Sequence, residues 1–146
     1  MVCFTFQVNH ESTPLISPGF TKKSDGFYYK HVHTDLNFDD AARNCQPGRL
    51  AIIHSQLTND IITRMLGSGF AWIGLKNKRS SRDIWWHWVD KSVITYHNWQ
   101  NTKPINDEGD CGEIFGATDP GEWRTRWDDE ECYIRQPSVC QWNPGE

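Results

Sequence analysis

The stretch Ala71-Trp72-Ile73-Gly74-Leu75 marks the point at which the sequence changes from helical to extended patterns. It is short, almost wholly apolar and without a helical period, which indicates a buried strand. The next apolar stretch, residues 84–89 (IWWHWV), has a period of two. That period places Ile84, Trp86 and Trp88 on one face of a strand and the intervening residues on the other. Both stretches therefore predict sheet rather than helix beyond residue 70.

Two helices are predicted before this point. Asn37 is a suitable N-cap for the first helix, with Asp40 three residues later as in a capping box, and Pro47-Gly48 ends it. Ser55 is a suitable N-cap for the second helix, and Gly67 follows its last residue in a position that favours glycine. Apolar residues at helical spacing give the second helix one buried face, formed by Leu57, Ile61, Met65 and Leu66.

Polar, turn-rich segments surround these elements. Residues 1–26 are predicted to be an extended N-terminal segment, since residues 10–26 are rich in Ser, Pro, Gly and charge. Residues 90–110 are also polar, and an irregular stretch of about 20 residues inside a compact domain is usually functional. Further strands are predicted at residues 27–32, 111–115, 122–127 and 138–142. Two helices followed by several short strands indicate a single domain of the α+β class.

Size, charge and composition exclude several classes of protein. The chain has 146 residues, 15 of them Lys or Arg and 19 Asp or Glu, and its formal net charge is −4. A mildly acidic chain lacks the cationic surface of a nucleic-acid binder. No stretch approaches about 18 consecutive apolar residues, so we expect no membrane span. The G-x-S-x-G, H-E-x-x-H and catalytic-cysteine motifs are absent from the sequence, so we expect no enzyme.

The cysteine count points to disulfides and to an oxidising compartment. No C-x-x-C spacing occurs, which argues against a zinc knuckle or a redox site. Disulfides indicate a secreted, extracellular protein. Residues 1–17 contain neither a basic n-region nor an apolar h-region, so either a leader has been removed or export uses another route, and we favour removal. An odd cysteine in a secreted protein indicates an intermolecular bridge. The five cysteines are Cys3, Cys45, Cys111, Cys132 and Cys140.

Short motifs occur in a fixed order along the chain: Trp72-Ile73-Gly74-Leu75, Trp86-x-Trp88-x-Asp90, Asn98-Trp99, Asp110-Cys111, Trp127-Asp128-Asp129 with Cys132, and Val139-Cys140-Gln141-Trp142. In order and spacing they resemble the C-type lectin-like domain over residues 27–142. The resemblance implies a C-type lectin-like carbohydrate-recognition domain at residues 27–146. It also implies disulfides Cys45–Cys140 and Cys111–Cys132, and a long loop, supported by the sheet, that carries the ligand site.

The resemblance further implies a calcium site, because the family binds sugars through an ion held by oxygen ligands. Where the family has Glu-Pro-Asn or Gln-Pro-Asp, this chain has Lys103-Pro104-Ile105, and Gly109 replaces the Glu two residues before Cys111. Only Asp128 and Asp129 remain of that ligand set, whereas calcium needs about six to eight oxygens. We therefore expect no metal cofactor, and we expect Lys103 to neutralise one aspartate. A cis peptide bond before Pro104 is also implied.

Two functions follow from the loss of the calcium ligands. In the first, the protein binds a sugar without metal, as do clam lectins of this family that carry a Lys- or Arg-Pro-Asp triplet and bind N-acetylhexosamines (GlcNAc or GalNAc). Lys103-Pro104 resembles that triplet, although Ile105 departs from it. In the second, the domain has lost sugar binding and binds a protein ligand. The candidate sugar-binding residues are Lys103, Asn106, Asp107, Asp128 and Asp129, with Tyr96, Trp123 and Trp85 as aromatic platforms.

Several of these features also have structural explanations. The acidic residues 128–131 are alternatively a solvated turn. His31 and His33 share one face of a strand and are a candidate metal pair, but the sequence supplies no third ligand. Tryptophans within the family motifs are expected to be core residues, namely Trp72, Trp86, Trp88, Trp99 and Trp127.

Cys3 is the cysteine left over when the two implied disulfides are formed. An exposed thiol in an oxidising compartment forms a disulfide with another chain. We therefore predict a dimer linked through Cys3, either a homodimer or a heterodimer with a related chain. Two linked sites would raise avidity for a dense glycan surface. The predicted partners are thus glycans or glycoconjugates and a second chain.

Overall fold

The computed structural model describes residues 15–79, 84–100 and 109–145. Within these ranges the chain forms two helices and eight strands, which confirms the α+β prediction. In chain order they are β1 (Thr21–Lys22), β2 (Tyr28–Leu36), α1 (Phe38–Asn44), β3 (Arg49–Leu50), α2 (Gln56–Leu66), β4 (Phe70–Arg79), β5 (Ile84–Trp88), β6 (Cys111–Phe115), β7 (Trp127–Glu130) and β8 (Gln136–Trp142).

The strands form one sheet with the order β1-β2-β8-β4-β6-β7. Strand β8 pairs antiparallel with β2, which brings the end of the domain beside its beginning. Strand β4 occupies the centre and pairs with β8, with β6 and with β5. At the edge, β6 pairs antiparallel with β7. The sheet thus carries the β4–β5 hairpin and the β6–β7 pair on the side remote from β1.

Both predicted helix starts are confirmed by side-chain caps. The Oδ1 atom of Asn37 accepts a hydrogen bond from the amide of Asp40 at 2.9 Å, and Ser55 Oγ accepts one from the amide of Thr58 at 3.1 Å. Each cap satisfies an amide that the first turn of a helix leaves without a partner. Gly67 ends α2 with a φ of 66°, a conformation that suits glycine. The buried face of α2 includes Ile61, Ile62 and Leu66, whereas Leu57 is exposed.

The core contains most of the tryptophans that the motifs placed there. Trp72, Trp88 and Trp127 are fully buried and Trp86 nearly so, while Trp99 packs against them half-buried. Trp72 Nε1 donates to the carbonyl of Leu36 at 3.0 Å, so its one polar atom is satisfied. The large rings therefore join the helices and the sheet into one core.

Two disulfides have the pairing that the resemblance implied. Cys45, at the end of α1, is bonded to Cys140 in β8, 95 residues away. Cys111, at the start of β6, is bonded to Cys132, just after β7. In a chain-entropy description, the first disulfide, which closes a long loop, contributes about 4.7 kcal/mol. The second disulfide holds the β6–β7 pair together at one end.

The predicted strand at residues 122–127 is wrong. Residues 122–125 form turns, with Thr125 at a φ of 66°, and the strand begins only at Trp127. Asp and Glu are unfavourable in strands, so no local signal favours a strand through residues 128–130. Pairing with β6 determines the strand instead, with Ile114 opposite Trp127 and Cys111 opposite Glu130.

Part of the N-terminal segment belongs to the sheet. Strand β1, within the predicted extended residues 1–26, pairs antiparallel with β2. Asp25 accepts hydrogen bonds from Tyr29 Oη at 2.5 Å and from Thr58 Oγ1 at 2.7 Å. Within the described residues, no helix is long and apolar enough to cross a membrane.

Candidate functional site

Strands β6 and β7 place the two candidate aspartates. In the register of this pair, Glu113 lies opposite Asp128 and Gly112 lies opposite Asp129. Directly opposite residues project from the same face of a sheet, and consecutive residues project from opposite faces. Asp128 therefore shares a face with Glu113, whereas Asp129 shares the face of Trp127. Both aspartates are buried, so they do not form the solvated turn that was the alternative.

Asp128 lines a pocket of about 280 Å³ on the outer face of β6 and β7. Trp123, another predicted sugar-binding residue, lines the same pocket, and its ring packs against that of Phe115 with centroids 5.4 Å apart. We call this the acidic pocket, because three of the six described residues that line it are carboxylic acids. They are Glu113, Asp128 and Glu130, and the others are Phe70, Phe115 and Trp123.

Glu113 is a member of this pocket that the sequence interpretation missed. It is 4% exposed, and Gln136 Nε2 donates a hydrogen bond to its Oε1 at 2.9 Å. Burial is the main cause that raises the pKa of Glu113 to about 8; the neighbouring carboxylates Glu130, Asp128 and Asp129 contribute to this rise, and the hydrogen bond from Gln136 opposes it. Near neutral pH the group is therefore mostly protonated. The period of two in residues 111–115 was the available signal, since it places Glu113 on one face with Cys111 and Phe115.

Asp129 is engaged on the other face of β7. Its Oδ2 accepts a hydrogen bond from the amide of Gly109 at 3.3 Å. A Cβ atom at residue 109 would lie 2.1 Å from both the carbonyl carbon and the carbonyl oxygen of Glu130. Backbone at that distance leaves no room for a side chain. The carboxylate that the calcium site would need at residue 109 does not fit this backbone, so the residues present do not match the implied calcium shell.

Tyr96, another described candidate, lies with the core rather than with the acidic pocket. Its ring packs edge-on against Trp127 at 5.9 Å, and its hydroxyl donates to Gln56 Oε1 at 2.9 Å. Trp127 is fixed in turn by a hydrogen bond from its Nε1 to Asn59 Oδ1 at 2.8 Å. The structure thus brings Asp128 and Trp123 together, and it places Tyr96 and Asp129 on the opposite face of β7.

Trp85, the other predicted aromatic platform, lies on strand β5 and does not line the acidic pocket. The remaining candidates lie outside the described residues. They are Lys103, Asn106 and Asp107 of the predicted ligand loop, the predicted cis bond before Pro104, and Cys3. In the described part of the chain, His31 and His33 have ring centroids 4.0 Å apart. No group of three or more His, Cys, Asp or Glu residues that could hold a metal ion occurs there.

Comparison with known proteins identifies the family. The model of the C-type lectin domain matches residues 34–142. The chain is 30% identical over 128 residues to a galactose-binding C-type lectin isoform from Pseudechis australis, which covers 80% of this chain and 77% of the relative. It is 28% identical over 130 residues to an alpha-N-acetylgalactosamine-specific lectin from Patiria pectinifera, covering 80% and 74%. The chain therefore belongs to the C-type lectin domain family.

A solved structure extends the comparison to the fold. A calcium-independent C-type lectin from Saxidomus purpuratus matches 89% of this chain and 95% of its own, with a TM-score of 0.75 and 20% sequence identity. At that identity the match concerns the fold alone. The two helices, the sheet and both disulfides of the present chain are thus those of a C-type lectin-like fold.

Proposed function

We propose that this protein is a secreted lectin that binds carbohydrate without calcium, with N-acetylhexosamines as its ligands. Membership of the C-type lectin family supports the lectin function, as do relatives named for binding galactose and N-acetylgalactosamine. Its two disulfides favour an oxidising, extracellular compartment. A protein-binding domain remains the alternative, and the glycan measurement below distinguishes the two.

The proposed sugar site combines the acidic pocket with residues of the ligand loop. Trp123 offers an apolar ring face for packing against a pyranose, and Asp128 offers carboxylate oxygens that accept hydrogen bonds from sugar hydroxyls. Protonated Glu113, beside them, can donate as well as accept. Lys103, Asn106 and Asp107 of the ligand loop are the other proposed members, whereas Asp129 and Tyr96, on the opposite face of β7, are not part of this pocket.

Calcium independence rests on the environment of Gly109. A ligand carboxylate at this position would collide with the backbone of Glu130, so the missing ligand cannot be supplied there without moving the backbone. Lys103 and Ile105 replace two further ligands with an ammonium group and a hydrocarbon. The Saxidomus purpuratus lectin, which has the same fold, is itself described as calcium-independent.

A glycan array probed with and without EDTA tests the proposed function directly. We expect binding to glycans ending in GlcNAc or GalNAc, with equal intensity in both conditions. Binding that is lost in EDTA and restored by calcium would overturn the metal-free site. An array without any bound glycan would overturn the lectin function and favour a protein ligand.

Lys103→Glu should abolish sugar binding and leave the fold intact. The ammonium group is proposed to neutralise Asp128 or Asp129 and to donate to the sugar, and a carboxylate would do neither. Affinity is measured by titration with GlcNAc, and folding by circular dichroism. Lys22→Glu, which makes the same charge change on exposed β1, is the matched control. Unchanged affinity in Lys103→Glu would place the sugar site elsewhere.

Cys3 is proposed to link two chains covalently. Two sites in one dimer would raise avidity for a dense glycan surface by about 10²–10⁴. We expect a dimer in a non-reducing gel, a monomer after reduction, and a monomer for Cys3→Ser with weaker agglutination. A monomer band without reductant would contradict the covalent link. Full agglutination by monomeric Cys3→Ser would contradict the role of avidity.

A further inference from the structure

The β4–β5 hairpin carries a second pocket, of about 200 Å³, on the surface of the domain. We call it the basic pocket, and its lining residues are Lys78, Trp85, His87 and Lys91. Lys78 lies directly opposite Trp85 in the register of the hairpin. Trp85 and His87 alternate with the buried Trp86 and Trp88, so they project from the face that points away from the core.

Trp85 is unusual among the tryptophans of the hairpin because it is 63% exposed. Trp86 and Trp88, its neighbours on the other face, are 9% and 0% exposed. An isolated exposed apolar residue needs no explanation. Here, however, the exposed indole forms the wall of a pocket whose other lining residues, among those that the structure describes, are Lys or His. An aromatic wall with a few converging polar groups is the usual composition of a ligand site.

The lysines of this pocket are not neutralised by ion pairs within the described ranges. Lys76, two residues before Lys78 in β4, is by contrast engaged. Its Nζ lies 3.7 Å from Asp39 Oδ1 and 5.5 Å from the centre of the Phe38 ring. Lys78 and Lys91 are exposed and have no such contact there. With respect to the described residues, two cationic side chains are therefore available to an anionic ligand.

Lys91 also occupies a backbone conformation that does not favour lysine. Its φ is 74°, in the left-handed region where glycine is the default residue. Residues kept in such conformations are concentrated at functional sites. A larger pocket beside α2 differs from the basic pocket in that its carboxylates are already engaged in hydrogen bonds. Asp25 accepts from Tyr29 and Thr58, and Asp90 accepts from Ser92.

We propose that the basic pocket binds an anionic saccharide, one sugar residue that bears a carboxylate or a sulfate. The indole of Trp85 packs against the apolar face of the pyranose ring, while Lys78 and Lys91 bind the anionic group and His87 donates a further hydrogen bond. The pocket has the size of a single sugar residue rather than of an extended chain. The flat indole of Trp85 beside the lysine charges suits an anionic pyranose better than an acidic peptide, because the carboxylates of a peptide lie on flexible side chains. This site is distinct from the proposed N-acetylhexosamine site.

Isothermal titration with three probes tests the proposal: a sulfated heparin-derived tetrasaccharide, sialyllactose and lactose. We expect at least one anionic probe to bind, lactose not to bind at this pocket, and affinity to fall as salt screens the lysines. Trp85→Ala should weaken that binding by about tenfold. Lys78→Ala and Lys91→Gly should each weaken it by about two- to fivefold. Preference for the sulfated or the sialylated probe identifies which anionic group is recognised.

Matched controls separate a site effect from a general effect. Tyr133→Ala removes another exposed aromatic ring, and Lys22→Ala removes another exposed charge, and both should leave the affinity unchanged. Failure of both anionic probes to bind at millimolar concentration would overturn the proposal, as would equal affinity of wild type and Trp85→Ala. Capture of a poly-glutamate peptide in place of the saccharides would also overturn it.

The same variants distinguish this inference from the proposed function. Titration of Trp85→Ala with GlcNAc should give the wild-type affinity, since Trp85 lies outside the acidic pocket. Loss of GlcNAc binding together with anionic-saccharide binding would show one shared site and overturn the basic pocket as a separate one. A third result would reject the proposed function alone: the wild-type protein does not bind GlcNAc, but it binds anionic saccharides and loses that binding in Trp85→Ala.

Discussion

The acidic pocket and the basic pocket each combine a tryptophan with ionisable side chains, but of opposite kind. Trp123 lies beside carboxylic acids, and Trp85 lies beside two lysines and a histidine. They differ in burial. Glu113 and Asp128 are 4% and 7% exposed, whereas Lys78 and Lys91 are exposed.

This difference separates two kinds of charged site. In the acidic pocket, several carboxylic acids lie close together where water has little access. Ionisation of all of them is unfavourable, and Glu113 keeps its proton, as its pKa of about 8 indicates. The lysines of the basic pocket are instead long side chains that are exposed to solvent. The acidic pocket therefore depends on the sheet that positions it, and the basic pocket depends mainly on its own side chains.

Trp127→Ala should show this dependence with the largest effect. Trp127 is fully buried, anchors the start of β7 and bonds to Asn59, so truncation should lower the free energy of unfolding by about 3–5 kcal/mol. Urea unfolding measures this value. Trp85→Ala, the matched truncation of an exposed tryptophan, should cost less than about 0.5 kcal/mol. Equal losses in the two variants would contradict the comparison.

Glu113→Gln should change how stability depends on pH. The folded state holds the proton of Glu113 up to about pH 8, whereas the unfolded chain releases it near the ordinary value of 4.5. Ionisable Glu113 therefore destabilises the fold progressively between pH 4.5 and about 8, and not below that window. The amide retains an oxygen that accepts from Gln136.

We expect Glu113→Gln to be near wild type at pH 4.5 and more stable by a few kcal/mol at pH 8.5, at about 1.4 kcal/mol per unit of pKa shift. Urea unfolding at both pH values gives the comparison. Glu131→Gln, on an exposed residue of the same segment, is the control and should not alter the pH profile. A stability difference between Glu113→Gln and wild type that does not change with pH would contradict the protonated state.

Lys91→Gly should have the smallest effect on stability, and unlike Trp127→Ala it should stabilise the fold. Glycine adopts a φ of 74° without the steric cost that lysine bears, although glycine loses more chain entropy on folding. The net change should be a stabilisation of up to about 1 kcal/mol, or a few degrees in Tm. Calorimetry measures the change in Tm, alongside the loss of anionic-saccharide affinity. Destabilisation would show that Lys91 makes a structural contribution in the folded state.

Much of the fold could be predicted from local sequence signals. Asn37 and Ser55 cap their helices through contacts that span three residues, so neighbouring sequence contains the whole interaction. A period of two sufficed to divide the tryptophans of residues 84–88 into buried and exposed. The pairing of both disulfides was predicted from the resemblance to the family, because local signals alone did not decide which cysteines pair.

Strand β7 and the acidic pocket required the tertiary structure. Residues 128–130 are acidic, and nothing local favours a strand there. The strand exists because β6 supplies its hydrogen bonds and the core buries Trp127. Its register then places Asp128 beside Glu113 and turns Asp129 toward Gly109. The ionisation of Glu113 likewise depends on burial and on charges from another strand.

The sequence by itself thus determined the helix caps, the alternation of the hairpin and, through the spacing of its motifs, the family. Each of these depends on residues close in the chain or on spacings that the sequence displays. Tertiary structure alone decided which aspartate joins Trp123, that residue 109 has no room for a carboxylate, and that Glu113 keeps its proton. Those outcomes arise from contacts between segments distant in sequence, where burial and strand register set the distances between charges and thereby their energies.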